Sequence, residues 1–125
     1  MKLENQVVSL ELARQLKNLG VEQESLFWWN NSYQDMKGDA SASAWEISYA
    51  PPQSKTLRRY AAFTVAELGE MLPSKSENWQ TAQYETGIWF ITNHQNTLKA
   101  GEARTEADAR GKLLIYLIEN KLLTL

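Results

Sequence analysis

Phe63-Thr64-Val65-Ala66-Glu67-Leu68-Gly69-Glu70-Met71-Leu72-Pro73 is the stretch that orders the rest of the chain. Thr64 followed three residues later by Glu67 has the spacing of a capping box. The threonine hydroxyl accepts a free N–H of the first turn, and the glutamate reaches back to the Thr64 N–H. Phe63 before the cap and Leu68 after it are spaced as a hydrophobic staple. Val65, Leu68, Met71 and Leu72 recur at helical period and make one buried face. Pro73 lacks an amide hydrogen and ends the helix.

Downstream, Trp79–Glu85 and Ile88–Asn93 read as two strands around Thr86-Gly87, where Gly87 supplies the positive φ of a tight hairpin. The second strand is apolar on both faces, as a central strand would be: Ile88 and Phe90 on one side, Trp89 and Ile91 on the other. After a turn at His94-Gln95-Asn96, Thr97–Ala100 offers a third strand. Glu106–Asn120 then forms the last helix, capped by Thr105, with Asp108 at N3 as a shorter version of the box. Glu106–Arg110 and Asp108–Lys112 are acid-first i,i+4 pairs. Ala107, Ala109, Leu113, Leu114, Leu117 and Ile118 give a broad apolar surface. Gly111 in mid-helix costs about 1 kcal/mol against Ala, which predicts a close approach there to the sheet. Leu122, Leu123 and Leu125 make an apolar end that must pack or be exposed.

Upstream, Ser9–Leu19 is a helix with Ser9 as N-cap. Leu12, Leu16 and Leu19 form one face, and Gly20 with Val21 closes a Schellman arrangement. Ser25–Asn30 and Ala44–Ala50 read as strands. In the second, Trp45, Ile47 and Tyr49 point one way and Ala44, Glu46 and Ser48 the other. The polar stretch 31–43 and the stretch 51–59, which opens with Pro51-Pro52, read as loops. The order is α-β-β-α-β-β-(β)-α. No repeat and no long linker divides the 125 residues, so the expectation is one α+β domain: an antiparallel sheet packed against about three helices.

Composition removes several kinds of chemistry. Zero Cys excludes thiolate nucleophiles, disulfides and thiolate zinc sites, and one His, His94, excludes any site built on two imidazoles. No G-x-S-x-G elbow and no glycine-rich phosphate loop is present. Glu67 and Glu70 stand i,i+3 as a conceivable carboxylate pair, but capping accounts for the first and an exposed face for the second. The expectation is therefore a non-enzymatic chain with no catalytic residue, no metal and no cofactor. Thirteen basic against fifteen acidic residues give a net charge of −2, which disfavours nonspecific binding to nucleic acid or to an acidic membrane. No apolar run reaches the ~20 residues of a bilayer span. Without a signal-peptide pattern behind Met1, the sequence points to the cytoplasm.

Five Trp and five Tyr are many for this length. Aromatics dominate cores, and they also dominate interface hot spots. Trp28 and Trp29 are adjacent on a strand and must point to opposite sides, so one of them is a candidate exposed anchor. That defines a candidate contact face of Trp28, Trp29, Tyr33 and Tyr49, with Arg58 and Arg59 at its rim. It would serve a protein partner or a second copy of the chain. Stacking of single-stranded nucleic acid on the Trp and Arg residues of the first half is the alternative.

Three segments resemble parts of small phage and prophage-type proteins of gut bacteria whose function is unknown. They are residues 63–73, the run Thr105-Glu106-Ala107-Asp108-Ala109-Arg110 with its continuation Leu114–Asn120, and the opening Met1-Lys2-Leu3-Glu4-Asn5-Gln6-Val7. The resemblance implies a mobile-element origin and brings no activity with it, because the matching residues are caps and core faces.

Overall fold

The computed structural model describes residues 2–31, 45–49, 59–72, 80–92 and 97–123. It is a single small α+β domain. A 3-10 turn at Leu3–Asn5 precedes α1 (Leu10–Asn18), and then come β1 (Trp28–Asn31), β2 (Trp45–Ser48) and β3 (Arg59–Ala61). After α2 (Val65–Met71) come β4 (Gln80–Gln83), β5 (Trp89–Thr92) and β6 (Thr97–Ala103), and α3 (Glu106–Glu119) closes the series. The α+β class agrees with the sequence, and the element order agrees broadly, with one strand more, β3, before α2. The strands, however, form two antiparallel three-stranded sheets, β2-β1-β3 and β4-β5-β6, rather than one.

The helix ends follow the local rules. Ser9 accepts from the Leu12 N–H. At the other end of α1, Gly20 has φ +93°, Val21 donates to the Leu16 carbonyl and Gly20 to that of Lys17, the two bonds of a Schellman motif. At α2 both halves of the capping box are made. Phe63 and Leu68, the staple pair, are both fully buried. Gly87 has φ +91°, and Tyr84 donates to the Ile88 carbonyl while its own carbonyl accepts from Gly87, closing the β4–β5 hairpin.

α3 sits between two buried clusters. Ala107, Leu114 and Ile115 join Val8, Leu12, Leu16, Trp28, Phe63 and Leu68 around the first sheet. Ala109, Leu113 and Leu117 join Ile91 and Ala103 on the second. A helix buried on two sides needs apolar residues nearly all round, which is why its apolar surface is so broad in sequence. Gly111 makes its close approach to Val8 rather than to a sheet: a Cβ there would stand 2.9 Å from Val8 Cγ1. At the C-terminal end Leu123 packs against both clusters, while Leu122 is exposed. Leu125 lies outside the described residues.

β3 falls where the sequence reads as the end of a loop. It pairs with β1 through Trp28↔Ala61, Trp29↔Tyr60 and Asn30↔Arg59. Two side chains engage its backbone: Gln23 accepts from the Ala61 N–H at 2.8 Å, and Lys17 donates to the Arg59 carbonyl at 3.3 Å. A side chain bonded to an edge strand leaves that strand less able to pair with another chain.

The acid at N3 of α3 corrects a second expectation. Thr105 accepts from the Asp108 N–H, but Asp108 does not return to the Thr105 N–H. Its Oδ1 accepts instead from the Ser9 N–H at 2.7 Å, ninety-nine residues away, and so ties the start of α1 to the start of α3. Burial raises the Asp108 carboxyl above its ordinary value, against the lowering effects of its bonds with Ser9 and the charge of Lys112. Lys112 itself donates to the Glu102 carbonyl at 2.7 Å.

Candidate functional site

Alternation along the first sheet sorts its side chains onto two faces. Trp29 lies opposite Ile47 and Tyr60, while Trp28 lies opposite Ser48 and Ala61. The face of Trp29 therefore also carries Phe27, Trp45 and, just past the end of β2, Tyr49. Toward β3 this face is covered. The Arg14 guanidinium and the Lys17 ammonium stand 5.6 and 5.3 Å from the Tyr60 ring centre, and the Trp29 indole N–H donates to the Val8 carbonyl at 2.9 Å. Toward β2 it is more open. Trp45 leans on Tyr60 with ring centres 5.5 Å apart. A shallow groove of about 500 Å³ runs between Trp29, Trp45 and Ile47 on the sheet and Lys2 to Glu4 of the N-terminal turn.

Two large apolar side chains near β1 stand exposed, and Tyr49 is at the far end of this face. Tyr49 is 79% exposed and Leu26 65%. The Tyr49 ring packs on Phe27 with centres 5.0 Å apart at an interplanar angle of 49°. The segment that carries Leu26 and Phe27 is held by a dense set of bonds. Ser25 Oγ donates to Glu67 Oε1 at 2.8 Å and accepts from the Phe27 N–H, while its carbonyl accepts from the Trp28 indole N–H. The Leu26 N–H donates to Glu67 Oε2. Glu67 thus holds both the start of α2 and the lead into β1, a structural occupation that accounts for both of its oxygens. Glu70 is exposed and takes no part.

The residues singled out from sequence divide accordingly. Trp28 is only 5% exposed and belongs to the buried cluster around α3. The Arg59 guanidinium lies 5.6 Å from the centre of its ring. The parity of Trp28 and Trp29 is as expected, but the inference that one of them projects as an exposed anchor is corrected. Trp28 is in the core, and Trp29 is half-buried and bonded. Of the set's described residues, Tyr49 is the one that stands in the open. Tyr33 and Arg58 lie outside the described residues, as does His94. Leu26 and Phe27 were missed because a single exposed Leu next to three aromatics reads as one more strand residue.

A second concavity, of about 580 Å³, opens between the two helix starts. Its walls are Asn5 and Gln6, residues 64–66 at the start of α2, Gln83 and Trp89 of the second sheet, and Arg104 to Glu106 at the start of α3. Among the described residues no group of three acids or imidazoles could hold a metal ion, and no helix is long and apolar enough to cross a membrane. The chain matches no family model, no curated protein and no solved structure.

Proposed function

We propose that this chain is a small non-enzymatic accessory protein of phage or prophage type that works by binding a protein, either a partner or a second copy of itself. Its contact face is the open side of the first sheet. The carrying observation is exposed Tyr49 standing on Phe27, continued on the same face by the groove at Trp29, Trp45 and Ile47. Exposed apolar side chains are common singly. Here exposed Tyr49 rests on Phe27, whose segment is braced by the Ser25–Glu67 bonds, and aromatic anchors on a rigid base lose little entropy on binding. The phage-type origin in this reading rests on the resemblance of the caps and helices alone, which brings no activity with it.

A photo-crosslinking amino acid at position 49, with the same group at exposed Tyr84 as control, tests the reading in cells. A discrete protein adduct from position 49, absent from position 84 and lost on Leu26→Asp, is the expected result. Its mass separates a second copy from a different partner. A nucleic-acid adduct from position 49 would favour the alternative reading. That alternative is weakened by the mutual engagement of Trp28 and Arg59, two of the residues it would use.

A further inference from the structure

The start of α3 meets the second sheet at Thr81, whose hydroxyl donates to Glu106. The helix packs on Ile91 and Ala103 through Ala109, Leu113 and Leu117. Trp89 shares that inner face, two residues before Ile91 on β5, and is paired with Gln83 on one side and Ala103 on the other. It is half-buried against that cluster and also lines the cleft of about 580 Å³. The opposite wall is the start of α2. A volume of this size falls within the ~300–1,000 Å³ of small-molecule sites.

The chemistry of the lining is uneven. Val65 and Ala66 are apolar, and the half-buried Trp89 presents an indole. An indole wall favours a flat ring stacked or tilted against it. The acid in the lining is already engaged: Glu106 Oε1 accepts from the Thr81 hydroxyl at 2.8 Å and pairs with Arg110 at 3.4 Å. Arg104, by contrast, is exposed and has neither an ion pair nor a hydrogen bond among the described residues. A free guanidinium is a planar, two-pronged match for a carboxylate. The positive end of α3, two residues on, adds potential of the same sign.

We propose that this cleft binds a small aromatic carboxylate, with its ring against Trp89 and its carboxylate on Arg104. The site is separate from the contact face of the first sheet and does not depend on it. Titration of the full ¹⁵N-labelled chain with 2-naphthoate, followed by amide and indole N–H shifts, tests it. Saturable shifts confined to the Trp89 indole and to the amides of Val65, Arg104 and Thr105 are expected. Naphthalene-2-methanol, which has the ring without the charge, should bind roughly two- to fivefold more weakly, the modest gain of an exposed charged contact. Arg104→Gln, a surface change, should erase that difference and leave the alcohol's affinity as it was. Three results would overturn the assignment: no saturation by about 10 mM ligand, equal binding of acid and alcohol to the parent chain, or cyclohexanecarboxylate binding as well as naphthoate. Shifts centred on Tyr49 and Phe27 instead would do the same.

Discussion

α2 and α3 begin with the same signature, Thr-x-x-acid, and use it differently. In both, the threonine hydroxyl accepts the N3 amide, at 3.2 Å for Thr64 and 3.1 Å for Thr105. Glu67 then turns back to its own cap, where Oε1 accepts from the Thr64 N–H at 3.0 Å. Asp108 has one methylene fewer and turns outward to the Ser9 N–H. Yet Glu67 also reaches abroad, to Ser25 and Leu26. Each acid therefore joins a helix start to a distant segment, and only one of them also closes its box. A capping signature locates a helix start, but the chain packed alongside decides what its acid binds.

Breaking the two joints should have unequal consequences. Glu67→Ala removes the acceptor for two backbone N–H groups and the Ser25 hydroxyl at once. The loss should be the largest of the series, about 3 kcal/mol, with the three bonds counted as one unit because they share one carboxylate. It should also loosen the Leu26–Phe27 segment. Urea denaturation gives the first quantity, and hydrogen exchange at the Phe27 and Trp28 amides gives the second. A loss no greater than that of Thr64→Ala would mean that the outward bonds of Glu67 contribute nothing.

Asp108→Ala should cost about 2 kcal/mol, since it leaves the Ser9 N–H without its partner. Asp108→Asn keeps an acceptor oxygen and removes the charge, and here the sign depends on pH. Burial raises the folded carboxyl above its ordinary value. Between the unfolded pKa of about 3.9 and that raised value, the native state therefore holds more protons than the unfolded chain. The contribution of Asp108 to stability is then greatest at low pH and falls as pH rises through the window. Parent and Asn variant should be close at about pH 3, and the variant should gain relative to the parent toward neutrality. Urea midpoints at several pH values decide this. A variant that loses ground as pH rises would show that the bond from Ser9 outweighs burial.

Thr64→Ala comes next, at about 0.5–2 kcal/mol. Glu67 would still brace Ser25 in that variant, so the loss isolates the local half of the box. An unchanged denaturation midpoint would mean that the cap is dispensable once the outward bonds exist.

How far each feature could be read from sequence follows the same division between local and distant. The caps, the Schellman end at Gly20 and the hairpin at Gly87 were legible because their partners lie within five residues. β3 was not: Arg59-Tyr60-Ala61 is too short to display a period, and it is a strand only because β1 receives it. β6 was read as four residues and runs to seven, through Gly101, with an irregularity in its register against Trp89 and Ile91. The division into two sheets was hidden as well, since α3 separates them and its two apolar flanks look in sequence like one broad face. Parity placed Trp28 and Trp29 on opposite sides of β1, but it could not say that the Trp28 side is buried and that Trp29 itself is half covered on the more open side. The cleft over Trp89 had no linear signal at all, because its walls come from residues 5–6, 64–66, 83, 89 and 104–106.

The smallest effect belongs to the one charge pair near the start of α3. Glu106 and Arg110 are i,i+4, and about a quarter of each side chain is exposed, 27% and 26%. Solvent screens such a pair, and holding two long side chains together opposes the Coulomb gain. Glu106 has two further partners: the Thr81 hydroxyl and, as the first residue of α3, the positive end of the helix. Glu106→Gln keeps an oxygen for Thr81 and loses both charge effects, so about 0.3–1 kcal/mol is expected. Because both lost effects are electrostatic and partly exposed, the difference should shrink when denaturation is repeated at about 1 M salt, where the screening length falls to ~3 Å. The Asp108→Ala loss should change less there, since its 2.7 Å bond is to a neutral backbone N–H rather than to a second charge. If the two losses responded to salt alike, the contrast between an inward joint and a surface pair would fail.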